Sequence, residues 1–384
     1  MAEEVWMLQT KKADFKQIGA RFRIDPVTAR IIRNRGIEGE AAIDRYLNGT
    51  LDDLYDPMLL KDMERAVSIL CEAVDTGKKI RIVGDYDIDG VCSTYILLQA
   101  FERLGSDVDF EIPDRIKDGY GINESIIEQA HADGVEVILT CDNGISAFHQ
   151  VELAKKYGMT VVITDHHEVP LDGEKEKIPP ADAVIDPKQA DCPYPFPEIC
   201  GAVVAYKLVQ VLYARRGVPQ MEWLDLLEFA AIATVGDVMK LQDENRILVK
   251  YGLKKMAQTK NLGLRRLAEK NNLDLGAITA YHIGFVIGPC LNAGGRLKTA
   301  KEALALLRAQ SEEEAERLAE ELKELNDTRK DMTEQGTEVA KLQVESWYQK
   351  DKVLVVFLPE CHESLAGIIA GRLREYYQKP AIVL

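Results

Sequence analysis

The sequence lacks any apolar run near the roughly 18 residues a membrane span requires, so no transmembrane segment is expected. Its start, Met1-Ala2-Glu3-Glu4, lacks a basic stretch leading into an apolar one, so no secretory signal is read. It has no CxxC: Cys71, Cys92, Cys141, Cys192, Cys200, Cys290 and Cys361 are odd in number and widely spaced. That usage argues for a reducing, cytoplasmic setting and against a disulfide framework or structural zinc. Positive charge is short as well. The net charge of -15 speaks against a protein that coats nucleic acid, but leaves room for a localised basic or metal-filled cleft on an acidic body. There is no internal repeat and no low-complexity tract. What remains is 384 residues, 46% hydrophobic and 29% charged, an ordinary globular composition with room for two or three domains.

Residues 1–77 read as an N-terminal helical segment. Short helices are expected over Asp14–Gly19 and Pro26–Asn34, and a stronger one over Leu60–Thr76, where apolar residues recur at helical spacing until Gly77. The character then changes. Short β-branched runs at 79–85, 107–112, 135–142, 159–165 and 182–186 alternate with helical patterns at 91–104, 124–132 and 147–157. Strands alternating with helices predict an α/β fold, a parallel sheet flanked by helices on both faces. Further helices are expected at 202–216 and 223–235, and the charge run 172–177 reads as a solvated loop. The body over 78–308 gives way to a connecting helix over 309–348, charged and free of proline. A strand at 352–358, a helix at 365–377 and a strand start at 380–384 begin a partial second α/β domain, 349–384. A strand start is a poor place for a domain to end, so a longer parent chain is expected.

Acids and imidazoles collect where these elements end. The first strand leads into Asp85-Tyr86-Asp87-Ile88-Asp89-Gly90, the third into Asp142-Asn143-Gly144, the fourth into Asp165-His166-His167; a helix ends at Gly236-Asp237. In open parallel sheets, ligands sit outside the carboxyl ends of the strands. Bare carboxylates do not cluster without cost: two charges 4 Å apart repel by about 4 kcal/mol at an effective dielectric near 20. Divalent cations remove that cost, and Asp oxygens mixed with His nitrogen suit Mn²⁺ or Mg²⁺. Two such ions are the usual equipment of phosphodiester hydrolysis. A single strand-end Asp is ordinarily a helix cap or turn residue, and Asp165 fits that role, as a buried group orienting the His pair. A calcium EF-hand loop starting at Asp85 is excluded, because its twelfth position is Ile96 rather than Glu.

Taken together, these motifs make the sequence resemble the RecJ exonucleases of the DHH phosphoesterase superfamily. Asp165-His166-His167 with a downstream Gly-Asp resembles the superfamily's defining pattern. Gly84–Gly90 is similar to the DYDADG motif of the RecJ type, with Ile88 for the usual Ala. The stretches 112–121 (IPDRIKDGYG), 140–145 (TCDNGI), 233–237 (ATVGD), 288–297 (GPCLNAGGRL) and 367–373 (GIIAGRL) match as well, with Gly294 for Ala and Cys290 for Arg. The resemblance implies that Asp87, Asp89, Asp142, His166 and Asp237 hold two Mn²⁺ or Mg²⁺ ions, Asp142 bridging them. It implies catalytic roles for Asp85, beside those ligands, and for His167, at the scissile phosphate or leaving group. Arg115 and Arg296 are expected to bind DNA phosphates. Gly119, Gly121, Gly294 and Gly295 are read as allowing close approach to a ligand, and Arg372 as packing. The implied activity is 5′-to-3′ hydrolysis of single-stranded DNA to mononucleotides in DNA repair and recombination. Single-stranded DNA with a 5′ end is the implied partner, with single-strand-binding protein or a helicase as candidate protein partners.

Two rivals stand beside this reading. Relatives that hydrolyse short RNA oligomers, cyclic dinucleotides or pyrophosphate carry a His upstream of DxD, where this chain has Val83, with Asp85 two before Asp87. Non-catalytic relatives that bind DNA or act as scaffolds lose metal ligands, all of which are present here.

Overall fold

The computed structural model of the chain describes residues 5–384. Strands β1 (Ile80–Val83), β2 (Val108–Glu111), β3 (Val137–Cys141) and β4 (Thr160–Thr164) arise where the β-branched runs stand. A small antiparallel hairpin, β5 (Leu171–Asp172) and β6 (Lys175–Glu176), precedes β7 (Ala183–Ile185). The hairpin replaces the loop expected there; Gly173, at φ +65°, makes its turn. The five longer strands form one parallel sheet in the order β2-β1-β3-β4-β7.

Both faces of that sheet are buried, because side chains alternate between them. In β3, Val137 and Leu139 enter one hydrophobic core while Ile138 enters the other. The larger core is closed by helices Ile88–Arg103, Gly201–Arg216 and Leu227–Gly236, each buried nearly all round. The helix Met63–Asp75, grouped by sequence with the N-terminal segment, buries Met63, Ala66, Val67 and Leu70 in this same core. The helix expected over 223–235 breaks into Gln220–Leu224 and Leu227–Gly236 at Asp225, whose carboxylate is held by Lys255 and Lys260. Helices Glu40–Asn48, Asp243–Met256, Leu262–Lys270 and Lys301–Arg308 had not been expected.

The N-terminal helices Phe15–Phe22, Pro26–Asn34 and Glu40–Asn48 share a small core around Ile32, Ile43 and Tyr46. At the other end, the 32-residue helix Glu312–Gln343 packs its first half on the sheet body. Its second half joins β8 (Leu354–Val356), helix Glu363–Tyr377 and β9 (Ala381–Val383) in a separate core. Gly336 permits that docking: a Cβ there would stand 2.6 Å from Ile369 Cδ1. Among the described residues no helix is long and apolar enough to cross a membrane, and all seven cysteines are free.

Candidate metal centre and basic cleft

The parallel sheet delivers acids to one edge. Asp85 follows β1. Asp87 caps the helix Ile88–Arg103, its Oδ1 accepting from the backbone N–H of Asp89 (2.9 Å) and Gly90 (3.1 Å). Asp89, wholly buried in that helix's first turn, accepts from the N–H groups of Gly201 (2.7 Å) and Ala202 (2.8 Å) at the start of the facing helix. Ile88, the departure from the family's Ala, fills space left by two glycines. Its Cγ2 lies 2.6 Å from where a Cβ on Gly236 would stand, and its Cδ1 3.3 Å from one on Gly288.

Asp142 leaves β3 with φ +61°, a left-handed conformation that a non-glycine residue adopts only under constraint. Gly201 allows it room, since a Cβ there would stand 2.7 Å from Asp142 Cβ. After β4, Asp165 acts as the expected orienting group. Its Oδ1 accepts from His166 N (2.8 Å) and pairs with His167 Nδ1 (2.7 Å), and its Oδ2 accepts from Ile145 N (2.8 Å). Asp237 caps the C-terminus of Leu227–Gly236, the pole of a helix that disfavours an anion.

These groups meet. His166 Nε2 stands 3.0 Å from Asp142, 3.4 Å from Asp89 and 3.9 Å from Asp237. Three sets place a ligand-capable atom of each member within 4.8 Å of the others: Asp85, Asp87 and Asp142; Asp89, His166 and Asp237; Asp142, His166 and His167. Shared membership of Asp142 and His166 fuses them into one centre. Asp85, read from sequence as a neighbouring catalytic acid, thus sits where it can also be a ligand.

The electrostatics are those of a cation site. Burial, then the charge of Asp87, lifts Asp85 to about 7. Burial, then Asp89 and Asp87, lifts Asp237 to about 7, and the same forces raise Asp142 well above the usual carboxylate range. Asp85 Oδ1 and His166 Nδ1 are buried without a hydrogen-bond partner. A crowd of hard oxygen donors with one imidazole, unable to ionise together, with orphaned donor atoms and no thiolate, fits Mn²⁺ or Mg²⁺. His167 differs from His166. Burial opposes its protonation, but the bond to Asp165 prevails and raises it to about 9; burial pushes His166 down. Asp165 itself stays below its usual value, because the bonds from His167 and Ile145 outweigh its burial.

Arg115 and Arg296 line a cavity of about 630 Å³ between the sheet body and the second body, together with Ser364 and Gly367. Arg296 donates to the Ser364 carbonyl at 3.0 Å, and Arg115 lies 4.8 Å over the ring of Tyr86. Arg329, from the connecting helix, stands close enough to help Arg115 and burial depress the Arg296 guanidinium. Among the described residues, Arg115, Arg296, Arg329 and Arg372 form no ion pair. Three adjustments to the sequence reading follow. Gly294 and Gly295 approach protein rather than ligand, since Cβ atoms there would strike Thr299 O (2.7 Å) and Tyr86 O (2.4 Å). Gly119 has open space around it and serves its positive φ, while Gly121 faces Asn143. Arg372 is exposed rather than packed.

Sequence reasoning missed Tyr120 and Arg329. The Tyr120 hydroxyl donates to the Asp142 carbonyl (3.0 Å) and lies 3.1 Å from His167 Nδ1. It stands inside the stretch 112–121 already singled out, which was the available signal. Arg329 had none, being one cation among many on a charged helix.

Comparison with known proteins agrees with this geometry. Residues 79–234 match the DHH family, N-terminal domain. The chain is 36% identical over 380 residues to the single-stranded-DNA-specific exonuclease RecJ of Bacillus subtilis, covering 99% of this chain and 47% of that one. A crystal structure of exonuclease RecJ bound to manganese superposes with TM-score 0.75 at 33% identity, over 85% of this chain and 80% of that one. RecJ in complex with Mn²⁺ from Thermus thermophilus gives TM-score 0.80 at 30% identity, over 96% and 52% respectively. The chain therefore spans about half the length of the Bacillus relative.

Proposed function

The chain belongs to the RecJ family of DHH phosphoesterases, and from that premise we propose that it is a metal-dependent exonuclease that hydrolyses single-stranded DNA from its 5′ end. The observation that carries this reading is the shared position of Asp142, one carboxylate common to two overlapping sets of ligands. In it, Asp85, Asp87 and Asp142 would hold one Mn²⁺ or Mg²⁺, and Asp89, His166 and Asp237 the second, with Asp142 beside His166 between them. When bound, such ions supply an activated water and offset charge on the non-bridging and leaving oxygens.

The protein's own groups do the rest. Asp87 and Asp89 are fixed by backbone N–H groups, so their carboxylates are already placed before any ligand arrives. Asp165 holds His167 at the mouth of the centre, where a protonated imidazole can donate to the departing oxygen. Arg115 and Arg296, free of acidic partners, offer planar donors to strand phosphates, and to a terminal 5′ phosphate that would set polarity. Single-strand preference would come from the narrow space between the two bodies. A role in cytoplasmic DNA repair and recombination, alongside single-strand-binding protein or a helicase, follows from the same reading. The division into units at residues 308 and 348 is part of it as well, while the boundary expected at 77 moves ahead of Met63, whose helix packs in the sheet core.

One experiment tests it. The chain is incubated with 5′-phosphorylated, labelled single- and double-stranded oligonucleotides under Mn²⁺, Mg²⁺ or chelator, beside Asp142→Ala. Mononucleotides released first from single strands, only with metal and only by the unaltered chain, are expected. Undiminished activity in chelator or in Asp142→Ala would overturn the reading. Preference for two- to five-residue RNA or a cyclic dinucleotide would favour the oligonucleotide-hydrolase alternative.

A further inference from the structure

The helical run that carries Arg296 passes along the metal centre. It comprises Ala280–His282, a π-helical turn at Ile283–Ile287, and Gly288–Leu297. Three of its glycines set its course. A Cβ on Gly295 would stand 2.4 Å from Tyr86 O, one on Gly288 3.3 Å from Ile88 Cδ1, and one on Gly284 3.8 Å from Val235 Cγ1. The Arg296 end therefore lies on the first DxD motif. The opposite end lies against Val235, two residues short of Asp237.

The less buried side of this run forms a stripe. From Ile287 to Gly295 every residue is buried except Pro289 and Asn292. Tyr281, Phe285, Pro289, Asn292 and Arg296 follow one another at steps of three or four, one face of a helix. The chemistry changes along it. Arg296 puts a guanidinium into the basic cavity. At the far end Tyr281 and Phe285 stack, with ring centroids 4.8 Å apart and planes 27° from parallel. These rings are 64% and 68% exposed, so packing of the core does not account for them. They flank the π-helical turn, a rare element that recurs at functional sites.

We propose that Tyr281 and Phe285 form a base-stacking step, which holds unpaired nucleobases of single-stranded DNA several nucleotides away from the phosphate at Arg296. This step rests on the nuclease reading of the centre and extends it to the bases of the strand. Every base has a π-face, so exposed rings hold a strand whatever its sequence. Bases inside a duplex are already stacked on each other, so only an unpaired strand gains. A protein partner would also cover the rings, but a stripe that runs from flat apolar groups to a phosphate-binding cation suits a polyanion that carries bases. At 1.5 Å per residue, Phe285 stands about 16 Å along the helix from Arg296. A stacked strand advances about 3.4 Å per nucleotide. A dinucleotide held by its phosphate at Arg296 ends before the rings, and a dodecamer reaches them.

Steady-state kinetics of the intact chain in Mn²⁺ test the step, by release of the first, 5′-labelled nucleotide. The substrates are a dinucleotide, a dodecamer, and the same dodecamer with abasic sites from its third to its eighth position. Tyr281→Ala combined with Phe285→Ala should raise KM for the dodecamer about 10-fold, the loss of about one stacked base, with kcat little changed. The same pair should leave the dinucleotide unaffected. Abasic sites should raise KM for the unaltered chain by a similar factor and cost the variant little more, because the rings then have nothing to hold. Phe285→Trp should keep the low KM. Metal-dependent cleavage of the dodecamer with the same KM in variant and parent would overturn the stacking step and leave the nuclease reading standing. An equal loss on the dinucleotide would overturn it as well, by marking the rings as structural. A change of oligomeric state in the variant with KM unmoved would assign the rings to a protein contact instead. No metal-dependent release from any strand would remove the nuclease reading and the stacking step together.

Discussion

Glu228 should make the stability of the sheet body decline as pH rises through neutrality, and Glu228→Gln should remove that decline. Burial lifts the carboxyl from its ordinary 4.5 to about 7, against the opposing pull of the Thr259 hydroxyl and the Lys255 charge. In the unfolded chain the proton leaves near 4.5; in the folded chain it stays until about 7. Between those values the folded state holds more protons, so stability falls with rising pH. At 1.36 kcal/mol per pH unit the penalty grows to about 3 kcal/mol, absent below 4.5 and complete above about 7. Because Glu228 is only 3% exposed, water does little to screen it. Gln does not titrate. An unfolding entropy of about 2.1 cal/mol/K per residue makes that difference about 4 °C for a chain of this size. Thermal melts of both proteins by circular dichroism, from about pH 5 to about pH 8 in EDTA, give the variant-minus-parent difference in Tm. Asp85, Asp186 and Asp237, also raised to about 7, titrate in the same window and cancel in that difference. A difference that stays flat to within about 1 °C refutes a protonated, buried Glu228.

Three further outcomes are expected. Asp165→Asn should lower kcat on single-stranded DNA about 100-fold with KM little changed, because one amide oxygen cannot hold both histidines and the Ile145 N–H; a rise in KM alone would remove Asp165 from the positioning role. Arg296→Ala should weaken single-strand binding about equally for all sequences and reduce the salt slope by about 0.7; an unchanged slope means that Arg296 touches no phosphate. Gly201→Ala forces a methyl to 2.7 Å from Asp142 Cβ; it should cost about 1–3 kcal/mol in denaturant titration and most of the activity, whereas full activity would show that Asp142 has room to move.

The sheet was legible because strands buried on both faces leave continuous β-branched runs that nothing else in the chain imitates. The acids were legible for a related reason: a parallel sheet sends every strand's end to the same edge, so Asp85, Asp142 and His166 had to be neighbours. Asp237 did not follow from that rule. It arrives on a helix, and its place depends on the packing of Leu227–Gly236 against Ile88–Arg103, which motif likeness alone suggested. The helices Asp243–Met256, Leu262–Lys270 and Lys301–Arg308 were missed although the last two carry an apolar face at helical spacing, because they are short and what they pack on is a tertiary fact. Gly294 and Gly295 were misread for a similar reason. A glycine announces that something comes close, but not whether it is a ligand or the chain's own backbone. Tyr120 and Glu228 show the same limit: one oxygen's partners, or lack of them, are tertiary facts.

The position of Asp237 also bears on how this protein is made. Asp85 leaves the ribosome about 150 residues before Asp237, and neither the sheet nor the first DxD motif can finish the centre without it. A nascent chain still short of that point carries the strand-end acids but lacks one of the groups around His166, so the cage closes only after the helix Leu227–Gly236 has been made and packed.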